Sequence, residues 1–283
     1  MAKIINGKEI STKLKAQLKD EVTTLSEQGI LPSLAVIIVG ENPASKVYVR
    51  NKKKACEEIG IRSLEFALSA EATEAELLNL IDELNARRDI NGILVQLPLP
   101  SHLNEKAVIE RISPLKDVDA FHKMNVGKIM AGNFEFLPCT PAGIIHLLDA
   151  SNIAITGKHC VVIGRSNIVG KPLAMLMLHR DATVTICHSK TQNLKEICKS
   201  ADILVAAVGR ANLVTADMVK PGAVVVDVGI NRREDGKLCG DVDFDGVKYI
   251  ASYITPVPGG VGPMTIAMLM QNTLTAAKLQ AKS

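Results

Sequence analysis

The fold is decided by residues His159 to Pro172, which read His-Cys-Val-Val-Ile-Gly-Arg-Ser-Asn-Ile-Val-Gly-Lys-Pro. The apolar run His159–Ile163 predicts a buried strand, and Gly164 permits a tight turn at its end. A helix is predicted over Pro172–Arg180, and Gly170 lets its start pack close to the strand. Such a helix start offers backbone N–H groups to a phosphate. The spacing G-x-S-x-x-x-G differs from the usual G-x-G-x-x-G, so the motif alone also fits a plain strand–turn–helix connection.

Strand and helix signals alternate on both sides of this stretch. Short apolar runs ended by turn residues predict strands, which are Leu34–Val39, Ser63–Leu68, Gly92–Leu97, Thr183–His188, Ile203–Val208, Ala223–Val228 and Lys248–Ala251. Amphipathic or capped segments predict helices, which are Ser11–Gly29, Pro43–Ile59, Thr73–Ala86, Ala142–Ala150, Asn193–Ser200 and Pro263–Ala281. This alternation is typical of parallel sheets covered by helices, and it favours a dinucleotide site at Gly164.

The division of the chain follows from its least periodic part, residues 113–143, which are rich in proline and glycine. We predict two doubly wound α/β domains. One comprises residues 1–140 and the C-terminal helix 263–283. The other comprises residues 141–262 and is a Rossmann-type dinucleotide domain. A length of 283 residues suits two such domains.

Composition excludes several classes of protein. The net charge is +3 and only eight residues are aromatic, so neither the basic surface nor the stacking platforms of nucleic-acid-binding proteins are expected. No apolar run reaches the length of a membrane span. The six cysteines form no C-x-x-C pair and no H-E-x-x-H occurs, which argues against a disulfide framework and a metal site. Buried free thiols and a cytoplasmic location are expected.

The strand after the Gly164 turn indicates which dinucleotide is bound. An NAD site usually carries a carboxylate at the end of this second strand, where it binds the ribose hydroxyls. The chain instead has Ser189 and Lys190 there, and Arg165 stands in the turn itself. A hydroxyl beside cations suits a 2′-phosphate, so NADP is favoured over NAD. Lys190 taken alone is equally well explained as part of a solvated turn.

A second candidate site lies in the first half of the chain. Tyr48 and Lys52 are four residues apart on a predicted helix, hence on one face. The same Y-x-x-x-K spacing is catalytic in short-chain dehydrogenases, but there it follows the dinucleotide turn, whereas here it precedes it. Gln96 ends the third predicted strand, at the edge where open parallel sheets bind ligands. Lys52 by itself could equally belong to a solvated basic helix face.

A series of motifs gives these residues a family context. They are Ser45-x-x-Tyr48-x-x-x-Lys52, Gly92–Pro100 (GILVQLPLP), Lys116–Asp119 (KDVD), Pro138–Pro141 (PCTP), Gly164–Ser166 (GRS), Asp227–Asn231 (DVGIN), Gly240–Val242 (GDV) and Pro256–Thr265 (PVPGGVGPMT). In this order and over nearly the whole chain, they closely resemble the bifunctional methylenetetrahydrofolate dehydrogenase/methenyltetrahydrofolate cyclohydrolase family. One departure is Ala120, where the family usually has glycine.

The resemblance implies two consecutive reactions in a folate cleft between the two domains. In the first, 5,10-methylenetetrahydrofolate is oxidised to 5,10-methenyltetrahydrofolate with NADP+. In the second, water opens the methenyl cation to 10-formyltetrahydrofolate, a step of one-carbon folate interconversion. It also implies a homodimer, formed through the dinucleotide domains.

The resemblance further implies site residues. Lys52 would exchange protons in the hydrolysis, with its pKa lowered by a partly apolar cleft, and Gln96 would orient it through a hydrogen bond. Tyr48 would stack on the aminobenzoyl ring, and Asp119 would bind the pterin. The remaining substrate contacts would be Val95, Leu97, Pro258, Gly259, Gly260, Val261, Gly262 and Pro263. The NADP contacts would be Gly164, Arg165, Ser166, Ser189 and Ile230.

Two other hypotheses remain open at this point, the second of which covers more than one function. The chain could be a dehydrogenase that has lost the hydrolytic step, although Lys52 and Gln96 are both present. It could also be a shikimate-type or amino-acid dehydrogenase, or a dinucleotide-sensing protein without catalysis. Shikimate-type enzymes share the two-domain plan but do not carry the Gly92–Pro100 and Pro256–Thr265 motifs together.

Overall fold

The computed structural model describes residues 1–233 and 235–282, which form ten α-helices and eleven strands. The helices are α1 (Gly7–Glu27), α2 (Pro43–Ile59), α3 (Glu74–Ala86), α4 (Glu105–Arg111), α5 (Lys123–Ala131), α6 (Cys139–Ala150), α7 (Gly170–Leu178), α8 (Leu194–Lys199), α9 (Phe244–Val247) and α10 (Val261–Gln280). The strands are β1 (Lys3–Ile4), β2 (Ser33–Val39), β3 (Arg62–Leu68), β4 (Gly92–Val95), β5 (His159–Ile163), β6 (Thr183–Cys187), β7 (Ile203–Ala206), β8 (Val224–Asp227), β9 (Asn231–Arg232), β10 (Leu238–Cys239) and β11 (Tyr253–Ile254).

The chain divides into two compact units. The three-stranded unit comprises Lys13–Cys139 and the described chain from Ile266 onward. The six-stranded unit comprises Met1–Thr12 and Thr140–Thr265. The first twelve residues therefore differ from the predicted boundaries. They belong with the later part of the chain because β1 pairs in parallel with β11.

The sheet of the three-stranded unit has the order β3-β2-β4, and all its strands are parallel. Every residue of the central β2 is buried, as its unbroken apolar sequence predicts. One face packs against the apolar stripe of α3, formed by Leu77, Ile81 and Leu84. The carboxyl end of β4 leads directly to Gln96.

The main sheet of the six-stranded unit has the order β1-β11-β8-β7-β5-β6, again all parallel. The chain passes from β5 outward to β6 and then returns to β7 on the other side of β5. This reversal creates a topological switch point at the carboxyl ends of β5 and β7, where open sheets of this type bind ligands. A separate antiparallel hairpin is formed by β9 and β10.

Local sequence signals explain where the helices begin and end. The Asn42 side chain accepts from the N–H groups of Ala44 and Ser45 at the start of α2, and Gly60 ends that helix in the left-handed conformation. Thr73 and Glu76 form a capping box at the start of α3. These caps fix the ends of α2, which follows β2, and the start of α3, which follows β3.

Several elements differ from the prediction. The segment expected to be irregular contains α5 and is preceded by α4, and the strands β1, β9 and β10 were not predicted. The last sheet strand is Tyr253–Ile254 rather than Lys248–Ala251, because α9 and its following turn occupy the earlier residues. In the described part of the chain, no helix is both long and apolar enough to cross a membrane.

Candidate active site

Lys52 lies on α2 in the three-stranded unit, and its side chain is half-buried. Its Nζ donates a hydrogen bond of 2.9 Å to Oε1 of Gln96. The neighbouring Lys53 and Lys54 are exposed. The structure therefore distinguishes Lys52 from the solvated lysines that follow it, a distinction that the sequence alone left open.

Gln96 is held in one orientation by its own contacts. Its backbone N–H donates to the carbonyl of Ile37 on β2 (2.8 Å), and its Nε2 donates to the carbonyl of Leu97 (2.7 Å). Because the amide nitrogen is engaged in this way, Oε1 is the atom that faces Lys52. Gln96 thus fixes the position of the ammonium or amine group, as the resemblance implies.

Asp119 completes a polar cluster with Lys52 and Gln96. Cys139 Sγ lies 3.5 Å from Asp119 Oδ1, and the Asp119 carboxylate interacts electrostatically with Lys52. The next residue, Ala120, is fully buried and has a φ of 57°, a left-handed conformation that glycine adopts without strain. The usual family glycine at this position is explained by that conformation.

The turn that carries Asp119 is fixed by buried polar side chains. Asp117 accepts from the His122 N–H and from Asn125 Nδ2, both at 2.8 Å. Asn272 on α10 donates to the carbonyls of Val118 (2.7 Å) and Leu137 (2.8 Å). Sequence reasoning missed these supporting residues, because their partners are backbone groups and side chains of other segments.

Burial sets the protonation behaviour of the cluster. It lowers the pKa of Lys52 below the usual lysine value, and the negative charge of Asp119 partly opposes this. Burial raises the pKa of the Asp119 carboxyl, which the Lys52 charge opposes in turn. Burial also raises the pKa of Cys139, helped by Asp119, so its thiol stays protonated. The arrangement can therefore hold an amine that gains and loses a proton more readily than an ordinary lysine.

The other predicted site residues of this unit are close to Lys52 or Gln96 in the sequence. Tyr48 lies one helical turn before Lys52 and its side chain is 39% exposed, so its ring is available to a flat ligand. Val95 is buried at the end of β4, and Leu97 follows Gln96 with a cis peptide bond to Pro98. The substrate contacts of Val95 and Leu97 stay predictions.

The glycine-rich stretch Pro258–Pro263 follows β11 and includes the first three residues of α10. All six of its residues belong to the six-stranded unit. Gly259 has a φ of +105°. A Cβ on Gly260 would lie 2.6 Å from the carbonyl oxygen of Pro256. The backbone conformation at Gly259 and the close contact at Gly260 therefore both favour glycine over any other residue.

The start of α1 supports this turn. The Lys8 N–H donates to the Gly259 carbonyl (3.1 Å), and a Cβ on Gly7 would lie 1.8 Å from the carbonyl oxygen of Gly260. Gly7 was not singled out from the sequence, because only the pairing of β1 with β11 brings it to this turn.

Two glycines shape the Gly164 turn between β5 and α7. Gly164 has a φ of +128°, and a Cβ there would lie 2.2 Å from the Ala207 carbonyl oxygen. A Cβ on Gly170 would lie 2.1 Å from the Gly164 carbonyl oxygen. The two glycines therefore let the turn pack tightly against the chain after β7 and against the start of α7, the close packing that dinucleotide-binding turns need.

Arg165 and Ser189 follow neighbouring strands. Ile163 at the end of β5 pairs with Cys187 at the end of β6, so both residues emerge at the same edge of the sheet, and both are exposed. Ser166 is also exposed, and its Oγ accepts from the N–H groups of Val169 and Gly170. Its hydroxyl proton is still free to be donated.

Ile230 lies after β8 at this same edge and is 49% exposed. The described residues contain no group of three or more His, Cys, Asp or Glu side chains arranged to hold a metal ion. The predicted nucleotide residues thus share one sheet edge of the six-stranded unit, and Lys52, Gln96 and Asp119 share the three-stranded unit.

Two family models match the chain. One describes the catalytic domain of tetrahydrofolate dehydrogenase/cyclohydrolase and matches residues 5–119. The other describes the NAD(P)-binding domain of the same enzymes and matches residues 138–281. The chain belongs to the tetrahydrofolate dehydrogenase/cyclohydrolase family. The family predicted from the sequence is therefore confirmed.

Relatives within the tetrahydrofolate dehydrogenase/cyclohydrolase family match along their whole length. "Bifunctional protein FolD" of Acetivibrio thermocellus is 63% identical over 281 residues, which cover 99% of both chains. The crystal structure of the bifunctional dehydrogenase/cyclohydrolase from Campylobacter jejuni is 52% identical, with a TM-score of 0.97 and 99% coverage of both chains. The Trypanosoma brucei enzyme, solved with NADP and an inhibitor, is 39% identical, with a TM-score of 0.95, and covers 100% of this chain and 99% of its own.

These matches confirm the predicted fold class of two α/β domains with parallel sheets. They also confirm the enzyme class, a bifunctional dehydrogenase and cyclohydrolase of the tetrahydrofolate dehydrogenase/cyclohydrolase family. The predicted nicotinamide dinucleotide cofactor agrees with the NAD(P)-binding domain of the family. The roles of individual site residues stay predictions.

Proposed function

We propose that Lys52 is the proton-exchanging group of this bifunctional folate enzyme. Gln96 orients its amine, and the negative charge of Asp119 partly offsets the lowering of its pKa by burial. The activity is the oxidation of 5,10-methylenetetrahydrofolate to 5,10-methenyltetrahydrofolate, followed by hydrolysis to 10-formyltetrahydrofolate. The observation that carries the assignment is the 2.9 Å hydrogen bond from Lys52 Nζ to Gln96 Oε1, formed by a half-buried lysine with a lowered pKa.

The oxidation requires little from side chains. The lone pairs of the folate nitrogens drive the departure of hydride from the methylene carbon, so no strong acid or base is needed. Bound NADP+ supplies the hydride acceptor. The chain contributes placement, in which Asp119 binds the N–H edge of the pterin and the Gly164 turn binds the dinucleotide phosphates.

The hydrolysis requires proton transfer. Water adds to the methenyl carbon, and the Lys52 amine accepts the proton that the water loses. The resulting ammonium donates this proton to the ring nitrogen as the bond between that nitrogen and the carbon breaks. The carbinol hydroxyl then releases its remaining proton to solvent, which leaves the formyl group on the other nitrogen. A lysine can do both only if its pKa lies closer to neutrality than usual, which is the effect of its burial.

The proposed substrate contacts extend beyond this cluster. Tyr48 stacks on the aminobenzoyl ring, since it is the exposed aromatic residue one turn from Lys52. Val95 and Leu97 flank Gln96 at the end of β4. The Pro258–Pro263 turn contributes backbone and little side-chain bulk, which leaves room for the folate.

NADP is the proposed cofactor in preference to NAD. The end of β6 carries no carboxylate, and Ser189 stands there beside Lys190, with Arg165 at the neighbouring strand end. These groups suit the 2′-phosphate of NADP, whose negative charge two cations stabilise. Ser166 donates its hydroxyl proton to the nucleotide, and the Ile230 backbone contacts it.

A homodimer in the cytoplasm is the proposed physiological form. The terminal strand β6 of the large sheet carries Ile186, 37% exposed, and α7 before it ends in Leu178, 51% exposed. A terminal strand has unpaired backbone groups, and together with these two exposed apolar side chains it favours pairing with a second copy. All six cysteines are buried and free, which suits a reducing compartment.

One assay tests the activity. The purified chain is mixed with methylenetetrahydrofolate and NADP+, and the absorbance of the methenyl cation is followed as it forms and decays. The proposed function predicts formation and then decay. Formation without decay would indicate a dehydrogenase alone. If the methenyl absorbance neither forms nor decays, the folate reaction is excluded.

A further inference from the structure

Two buried carboxylates in the six-stranded unit are not used by the reaction. Asp227 ends β8 and is 4% exposed, and Asp241 follows β10 and is 0% exposed. Carboxylates are almost never buried to this extent unless they are paired or hydrogen-bonded. Both belong to motifs that carried the family resemblance but received no role there.

Asp241 accepts hydrogen bonds from two separate segments of the chain. Its Oδ2 accepts from the N–H groups of Val208 (2.7 Å) and Gly209 (3.0 Å), and its Oδ1 accepts from that of Arg210 (2.8 Å). Asn231 Nδ2 donates to the same Oδ1 at 2.9 Å. One side chain thus binds three consecutive amides after β7 and the side chain that begins β9.

Asp227 anchors the segment that carries Asp241. It accepts from the N–H groups of Gly229 (3.0 Å), Asp241 (2.9 Å) and Val242 (2.9 Å). Its own N–H donates to the Thr255 hydroxyl at 2.7 Å. Asp227 therefore holds the backbone of Asp241 in place, and the Asp241 side chain in turn holds Val208–Arg210 and Asn231.

Two glycines leave the space for these carboxylates. A Cβ on Gly240 would lie 1.8 Å from Asp227 Oδ2, and a Cβ on Gly229 would lie 2.2 Å from Asp241 Oδ1. Each motif therefore supplies the space that the other needs. Gly240 makes room for Asp227, and Gly229 makes room for Asp241.

The loop held by Asp241 borders the dinucleotide crevice. Residues Val208–Arg210 follow β7, and the Gly164 turn follows β5, its neighbour in the sheet. The carbonyl oxygen of Ala207, one residue before the loop, is the atom a Cβ on Gly164 would strike at 2.2 Å. The switch point lies between these two strand ends, so a shift of the loop changes the shape of the crevice.

We propose that Asp241 is a positioning residue that holds Val208–Arg210 in the conformation that binds the dinucleotide, with Asp227 as its anchor. The proposal rests on the proposed function for the identity of the ligand. It predicts that an isosteric amide is not tolerated, because Asp241→Asn turns an NH2 group toward N–H donors and leaves two of them unpaired.

The test compares Asp241→Asn with Asp243→Asn, a control on the same segment whose side chain caps α9 and contacts neither loop. The first readout is amide hydrogen exchange without nucleotide, which should accelerate at Val208–Arg210 in Asp241→Asn only. The second is NADP+ affinity by calorimetry, which should fall about 10-fold or more in Asp241→Asn, as expected for unpaired buried groups. The third is hydrolysis of methenyltetrahydrofolate without nucleotide, which should change by less than about 2-fold.

Unchanged exchange and unchanged NADP+ affinity would overturn the proposal. So would an equal loss of NADP+ binding and nucleotide-free hydrolysis, since that pattern indicates a role in the whole fold. If Asp241→Asn does not fold, Asn231→Ala decides, because it removes a single donor to Asp241. It should weaken NADP+ binding about 3-fold, and an unchanged affinity would overturn the proposal.

The failure of the proposed function is separately visible. A wild-type protein that neither reduces NADP+ with methylenetetrahydrofolate nor hydrolyses the methenyl compound would refute that function. The exchange rates and the NADP+ affinities of the variants would still decide the role of Asp241.

Discussion

At the scale of single residues, Lys52 differs from its neighbours by one hydrogen bond and by its burial. Lys52→Met keeps much of the apolar stem but removes the amine. We expect cyclohydrolase activity to fall by about 100-fold or more, as for loss of a general acid–base group, and hydride transfer to fall less. The measurement is the rate of each step in separate assays.

Lys53→Met is the matched control, because Lys53 is exposed and adjacent to Lys52 on α2. It should leave both rates nearly unchanged. Retention of methenyl hydrolysis in Lys52→Met would remove Lys52 from the mechanism.

The protonation of Lys52 gives a pH prediction. Burial lowers its pKa, so hydrolysis should rise with pH as the neutral amine forms, with a midpoint below the ordinary lysine value of 10.5. Asp119 opposes that lowering, because its negative charge stabilises the ammonium. Asp119→Asn should therefore move the midpoint of kcat to still lower pH. A midpoint that stays in place or rises would contradict the electrostatic coupling.

Arg165 and Ser189 are predicted to set cofactor preference. The double substitution Arg165→Ala and Ser189→Ala should weaken NADP+ binding by about 10-fold or more and NAD+ binding much less, because only NADP+ carries the 2′-phosphate. Kd values for both nucleotides check this. Lys199→Ala, an exposed cation at the end of α8, is the control. An unchanged preference would show that the 2′-phosphate is bound elsewhere.

At the scale of elements, the start of α1 fixes the turn before α10. A Cβ on Gly7 would lie 1.8 Å from the Gly260 carbonyl oxygen, so Gly7→Ala must displace either the helix or the turn. We expect the KM for methylenetetrahydrofolate to rise several-fold, because the turn is proposed to bind it, while NADP+ affinity changes little.

Gly127→Ala provides the control for this change. Gly127 lies within α5, and a Cβ added there would have no neighbouring atom within 4 Å. Because alanine has the higher helix propensity, the substitution should stabilise the protein by up to about 1 kcal/mol. Equal KM values in both variants would remove the turn from the substrate site.

The elements that sequence could predict are those with strong local signals. β2, α2 and α3 were predicted because an unbroken apolar run, Asn42, Gly60 and the Thr73 capping box act within a few residues. β1 and β11 were missed or displaced because each has only two residues, and their pairing joins Lys3 to Tyr253. No local period can report a contact over such a separation.

The candidate site shows the same limit. Lys52 and Gln96 were found because their motifs match a family, and their hydrogen bond spans 44 residues of sequence. Asn272 and Asp241 were not assigned roles, since their partners are backbone groups of distant loops. Backbone donors and acceptors carry no sequence signature, so the supporting contacts of a site appear only in the structure.

At the scale of the whole molecule, the proposed homodimer depends on the free edge of β6. Ile186→Lys places a charge on that edge, where pairing with a second copy would have to bury it. We expect the variant to sediment as a monomer at concentrations where the wild type is a dimer, because an unpaired buried charge is strongly disfavoured.

Leu238→Lys is the matched control, since Leu238 is exposed to a similar extent, 39% against 37%, but lies on the hairpin β9–β10. It should remain dimeric. A dimeric Ile186→Lys, or a wild type that is already monomeric, would place the interface elsewhere or exclude it. Because Lys52, Gln96 and Asp119 all lie outside the six-stranded unit, the monomeric variant should still hydrolyse methenyltetrahydrofolate, which separates loss of assembly from loss of fold.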